Sequence, residues 1–185
     1  MNTGKSCAFF GHRKVEDCEV ANRLKTLVEK LIVEYDVREF LFGSKSEFDK
    51  LCLATVTSLK SKYPHVKRIA YTCKSEGCIL ESERKKWDDI FLKLYGANMP
   101  LELVDEEREF SNKQRAGRAS YVERNYAMID ECDFCVFYFD ENYLPPKRLH
   151  SSNSLNFYQP KSGTRIAYEY ALKHKKTIFN VKKGN

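Results

Sequence analysis

Ser162-Gly163-Thr164 is the stretch whose residue types are best suited to holding a ligand. Upstream of it lies an apolar run, Phe134 to Phe139, short and aromatic enough to read as a buried parallel strand. Downstream, Ile166, Ala167, Tyr170 and Ala171 fall at helical spacing, so a helix opens at or just past Thr164. A small, hydroxylated turn ahead of a helix presents backbone N–H groups and the positive end of a helix dipole together, and phosphate is the usual anion at such a place. The plainer alternative is an N-cap, with Ser162 or Thr164 closing the first turn and Gly163 easing it. A second cluster, Glu123-Arg124-Asn125, adds a guanidinium. Helical phase puts Ala119, Val122, Tyr126 and Ile129 on the buried seam, Arg124 almost opposite and Asn125 at its flank. Phase alone therefore allows Arg124 to be a solvated surface residue.

Two further glycines stand at strand exits. Ser6 to Phe10 reads as a strand stopped by Gly11-His12-Arg13, and Arg38 to Phe42 as one that leaves through Gly43-Ser44. Gly4-Lys5-Ser6 has the look of a phosphate loop, but the strand comes after it instead of before. Cys132 and Cys135 have a redox or zinc spacing, with Cys73 and Cys78 as imaginable partners. Cys135 belongs to the apolar run, where a core thiol is the usual occupant, and no histidine follows at ligand spacing, so no metal is expected. The four histidines are dispersed, and no nucleophile–histidine–acid order is readable.

The elements that would position these residues alternate. A helix from near Glu16 carries Val20, Leu24, Leu27, Val28 and Leu31 on one stripe, and another carries Phe48, Leu51, Cys52, Thr55, Val56 and Leu59 before Pro64. Strands are expected at Val66 to Thr72 and Leu101 to Val104, with a helix at Glu81 to Leu94 supported by the Glu81–Lys85 pair. The alternation predicts an α/β, Rossmann-like single domain over residues 1–185, a mostly parallel sheet with helices on both faces. Ligands in such sheets bind beyond the carboxyl ends of the strands, where Gly11, Gly43 and Gly163 all fall. A long connection, residues 140–161, carries three prolines and the aromatics Tyr143, Phe157 and Tyr158; it reads as a lid, a binding loop or a linker. Those aromatics could stack on a base or pin the loop to the surface.

Composition narrows the classes. No apolar run approaches the ~18 residues a membrane span needs, and the start of the chain lacks a secretory pattern. Seven cysteines without a framework favour reduced thiols in a cytoplasm. The net charge of +6 is spread through Glu-rich helices, a mild bias toward anionic ligands that argues against nucleic acid as a partner.

Four motifs in order, Cys7 to Arg13, Phe42-Gly43-Ser44 with Phe48-Asp49, Tyr121 to Asp130, and Ser162-Gly163-Thr164, resemble the SLOG superfamily over nearly the whole chain. Within it the chain is most similar to small, phage-like and YpsA-like, uncharacterised bacterial proteins. The superfamily includes the Lonely Guy phosphoribohydrolases and nucleotide-binding modules of bacterial conflict and signalling systems. The resemblance implies that Arg124, in the place of the family's Glu-Arg-Lys arginine, faces a ligand, and that Lys161 to Thr164 stands for the phosphate-gripping loop. It also marks departures. The hydrolase glutamates after the loop are replaced by Ile166 and Ala167, and the glycine before Phe48-Asp49 is Glu47. Without a carboxylate there, glycosidic chemistry loses its central group.

The function expected from residues and resemblance together is binding of a nucleotide-like small molecule, as a sensor or sequestering protein, without strong hydrolysis and without a cofactor. Its ligand-binding residues would be Gly11, His12, Arg13, Gly43, Ser44, Asp49, Arg124, Asn125, Ser162, Gly163 and Thr164, with Asp49 as a ribose hydroxyl acceptor. The alternatives are an N-glycosidase using Glu169 or Asp49 as its acid, and a single-strand nucleic-acid module, since some superfamily members handle DNA. A homodimer is the expectation by analogy with the hydrolases.

Overall fold

Strand β1 (Lys5–Gly11) is apolar on both faces because both faces are covered. Cys7 and Phe9 enter one core, while Ala8 and Phe10 enter the other. In a computed structural model, which describes residues 4–43, 46–73, 89, 90, 92, 93, 104–110, 118–149 and 157–182, this strand lies inside a six-stranded parallel sheet. The first core is completed by α1 (Val20–Tyr35) and α2 (Glu47–Leu59). They bury Leu24, Val28, Leu31, Phe48, Leu53 and Val56 against Phe40 and Phe42 of β2 (Val37–Phe42). Each such side chain stabilises the fold by about 1.5–3 kcal/mol relative to exposure. Asp36, at φ 56°, ends α1 in the left-handed conformation and turns the chain directly into β2.

Beyond α2 come β3 (Lys67–Cys73) and β4 (Glu106–Phe110), then α3 (Arg118–Glu131) and β5 (Phe134–Tyr138). Next is a two-residue ribbon, β6 (Arg148–Leu149) with β7 (Phe157–Tyr158), and the chain closes with α4 (Gly163–Lys173) and β8 (Thr177–Asn180). The strand order is β4-β3-β2-β1-β5-β8. Helices α3 and α4 cover the second core, where Met128, Ile129, Ala167 and Ala171 meet Phe10, Leu41, Ile69 and Phe137. This is the α/β Rossmann-like architecture expected from the alternation of elements.

The expected fourth strand at 101–104 is corrected. Residues 101–103 lie outside the described residues, and the strand is β4, paired in parallel with β3 from Ile69–Glu106 to Cys73–Phe110. Its sequence, Glu-Glu-Arg-Glu-Phe, hides it from an apolar search because an edge strand carries charge on its open side. The expected helix at 81–94 falls largely on residues outside those described. Apolar periodicity signals neither β8 nor the β6–β7 ribbon. β8 is another edge strand, and its Asn180 amide exchanges hydrogen bonds with the Phe139 backbone, at 3.1 Å from N–H and 2.9 Å to carbonyl.

At the amino edge, Arg68 (side chain 3% exposed) is held by Asp105 at 3.1 Å, and Lys60 also donates to that carboxylate. The backbone N–H of Arg68 adds a 2.7 Å bond to it. Burial pushes the Asp105 carboxyl up, but the bonds from Arg68 and Lys60 outweigh it and bring it down to about 2. Asp105→Asn should lower the unfolding free energy at neutral pH by about 1–2 kcal/mol, a value discounted for partial solvent exposure. Because the folded carboxyl lies below its unfolded value of 3.8, this stabilisation is present above that value. The gap between wild type and variant in denaturant titrations should therefore close as pH falls from 3.8 toward about 2.

Candidate functional site

On α3 the residues at four-residue spacing, Ser120, Arg124 and Met128, are the ones turned inward, at 3%, 5% and 0% exposure. This corrects the seam expected from apolar phase: Ala119 is exposed, Val122 and Tyr126 are half-buried, and only Ile129 is fully buried. The reason is position. The first turns of α3 lie at the carboxyl edge of the sheet, where inward side chains meet strand ends instead of core. Polar residues fill the inward row there, and apolar periodicity cannot register them. Ser120, four residues before Arg124, escapes a sequence reading for that reason.

Arg124 reaches the exit of β2. Its Nη2 and the Oδ2 of Asp49 both lie 3.0 Å from where a Cβ on Gly43 would sit, with Asp49 Oδ1 at 3.2 Å. Gly43 is thus a glycine by close approach: any side chain would displace a guanidinium and a carboxylate. The Arg124 guanidinium also lies 5.3 Å from the centre of the Tyr121 ring and 3.5 Å, through Nη2, from Asn125 Oδ1. Asp49 has a second task. Its Oδ2 accepts from Ser46 N–H at 3.1 Å while its own N–H donates to Ser46 Oγ at 2.9 Å, a capping box at the start of α2. Ser44 lies outside the described residues.

The other glycines divide. A Cβ on Gly11 would come within 2.4 Å of Phe48 Cβ, Cγ and Cδ1, so this glycine lets α2 pack on the end of β1. A Cβ on Gly163 would meet nothing within 4 Å. Ser162 caps α4, its Oγ accepting from Arg165 N–H at 3.0 Å, and Ser162 and Thr164 are each 7% exposed. The cap leaves the Gly163 and Thr164 N–H groups among the first-turn donors of the helix, on the same edge as Gly43.

His12, Arg13 and Glu47 tie loops together. Arg13 is exposed, and its carbonyl accepts from Glu47 N–H at 3.0 Å, while Glu47 Oε2 accepts from Val15 N–H at 2.9 Å. A glycine at 47 could not make the second bond. The buried His12 ring accepts from Asp140 N–H at Nε2, 3.1 Å, and packs on Tyr143 with ring centres 4.3 Å apart. Burial holds its pKa below 6.5, which keeps the ring neutral for that bond. Asp140 is in turn paired with Lys182.

Neither acid of the glycosidase alternative is poised as a proton donor. Glu169 is bound by Lys161 at 2.7 Å and Arg165 at 3.3 Å, and the Lys161 bond draws its carboxyl below the usual range. Asp49 is committed to its cap. Cys132 and Cys135 are buried with sulfurs 3.5 Å apart. The bond to Cys132, then burial, holds the Cys135 thiol far above its usual range. Cys78 lies outside the described residues, and among those described no group of three or more His, Cys, Asp or Glu could hold a metal. Nor is any described helix long and apolar enough to cross a membrane.

No family model matches the chain. It is 25% identical over 157 residues to the uncharacterized SPbeta prophage-derived protein YoqJ of Bacillus subtilis strain 168, covering 84% of this chain and 81% of that protein. In fold it is similar to DNA processing protein A from Helicobacter pylori, with a TM-score of 0.54 at 13% identity, spanning 97% of this chain and 66% of that one. That structure is described by its single-stranded DNA binding mode. The expectation that dispersed charge argues against a nucleic-acid partner is overturned by this finding, since the same fold occurs in a DNA-binding protein. Charge spread along the chain is therefore no ground for excluding such a partner.

Gly11→Ala and Gly163→Ala should separate packing from access. The first should cost about 1–3 kcal/mol through overpacking against Phe48, and the second should leave the denaturation midpoint nearly unchanged.

Proposed function

We propose that this protein binds single-stranded nucleic acid, taking one phosphate at the carboxyl edge of the sheet between Arg124 and the start of α4. The observation that carries this is Arg124 itself: a guanidinium 5% exposed, on the inward row of α3, set closely against Gly43 at the exit of β2. A buried arginine at a strand exit is suited to charge-assisted, bidentate recognition of a phosphate. The N–H groups of Gly163 and Thr164 supply donors of the same sense from the neighbouring helix. The place agrees with the rule for open α/β sheets, in which ligands sit where the strand order reverses, here between β1 and β5. The DNA-binding fold neighbour supports a strand over a free nucleotide, and the engagement of Asp49 and Glu169 supports binding without turnover.

A free nucleotide shares the phosphate chemistry, so the test carries both ligands. Binding of a labelled oligothymidylate is monitored by fluorescence anisotropy over a salt series, with mononucleotides as competitors. The oligonucleotide should bind with an affinity that falls steeply with salt, as phosphate contacts release counterions. Arg124→Gln should weaken it by about 1.5–3 kcal/mol, the value of hydrogen bonds to charged groups, with thermal melts as the folding control. Mononucleotides that bind tightly and displace the strand at equal concentration would favour the free nucleotide. Equal binding by wild type and Arg124→Gln would remove Arg124 from the site.

A further inference from the structure

The β6–β7 ribbon stands out from the rest of the molecule. Phe157 is 63% exposed, and Tyr158, Tyr143 and Leu144 in the same connection are 38%, 40% and 65% exposed. An exposed Phe forgoes the burial gain that usually retains it, about 1.5–3 kcal/mol. The ribbon has only two residues per strand, too few for its own ladder to hold it. It is held at its roots instead. On one side, Tyr143 lies on the buried His12 ring, and Asp140 binds both His12 and Lys182. On the other, Pro160 is buried, Gln159 donates to the Pro145 carbonyl across the connection, and Ser162 caps α4. The roots thus flank the reversal point between β1 and β5.

We infer that this ribbon is a base-stacking arm: Phe157 stacks on a base of a single strand whose phosphate is held at Arg124 and the start of α4. The inference rests on the reading of the site as a single-strand site and adds the group that meets the base. Charge fits the occupant. Lys147 and Arg148 are exposed at the ribbon, and Arg148 is the cross-strand partner of Tyr158, so a cation and an aromatic share one face while Phe157 stands on the other. Among the described residues, Asp140 at one root is balanced by Lys182, and Glu169 near the other by Lys161 and Arg165. Distance fits as well. From Tyr158 to Gly163 is five residues, at most about 17 Å of extended chain, which is within reach of a short oligonucleotide. Aromatic faces beside a basic track are how sequence-tolerant single-strand binders divide the work, rings for bases and cations for backbone.

The test uses the full chain with two strands of equal length, an oligothymidylate and the same backbone lacking bases. Phe157→Ala should weaken the oligothymidylate about 5- to 100-fold, the effect of losing one stacked base, and leave the base-free strand and the salt slope unchanged. Phe157→Trp should restore the affinity and show indole fluorescence quenched by the oligothymidylate and not by the base-free strand. If Phe157→Ala binds both strands as wild type does, the arm is refuted and the phosphate site stands. Equal weakening for both strands also refutes stacking, and concentration-dependent self-association lost in Phe157→Ala would assign the face to a second copy. If wild type binds neither strand, both the arm and the single-strand reading fall.

Discussion

The pairing of β1 with β5 is the constraint on which the rest of the molecule depends. Three strands, β2, β3 and β4, run outward from β1 in one direction, and the chain then returns to place β5 on its other side, with Cys7 to Gly11 against Phe134 to Tyr138. Both strands must be apolar on both faces, because helices cover each side. Where they end, the apolar layers end, and polar side chains such as His12 and Arg124 fill the buried positions beyond. The chain meets that boundary with Gly11 under Phe48, His12 receiving Asp140, and a connection that leaves the sheet and returns at Ser162. Topology thus sets the residues that follow β1 and precede α4 at the reversal of the strand order.

The proposed anion site draws on local donors. The two helices on one side of the sheet direct their N-termini to the same edge, because each runs antiparallel to the strand after it. Arg124 adds a guanidinium at the second turn of α3, closely packed with the Asp49 carboxylate against Gly43. The nearby carboxylates are already committed: Asp49 to the α2 cap, Glu169 to Lys161 and Arg165, and Asp140 to Lys182. Under the proposed reading, an incoming anion would meet the first-turn N–H groups of α4 and the Arg124 guanidinium at this edge.

Legibility tracks burial. Strands β1, β2, β3 and β5 and the stripes of α1, α2 and α4 can be read because covered faces force apolar periods of two and 3.6. β4 and β8 cannot, since edge strands face water with Glu106, Glu107 and Arg108, or with Thr177 and Asn180. The same physics conceals the inward turn of Arg124, as the residue one turn before it on that row is Ser120 and not an apolar one. Gly11 and Gly43 stand at strand exits as expected and Gly163 opens α4, but sequence does not separate the packing role of Gly11 from the open position of Gly163, because that depends on whether Phe48 or solvent stands opposite. Resemblance points Arg124 toward a ligand, whereas phase points it away. Glu47, a departure from the family pattern, is a bond donor and acceptor to the loop after β1.

Amide hydrogen exchange of the whole chain, alone and saturated with a single-stranded oligonucleotide, tests the account most directly, because it locates the contact without altering a residue. Slowed exchange should appear at Gly43, at Gly163 and Thr164, and in the first turns of α3, with the amino edge around Arg68 and Asp105 unchanged. Protection confined to that amino edge, or to the outer face of α1, would contradict a phosphate site at the carboxyl ends of the strands.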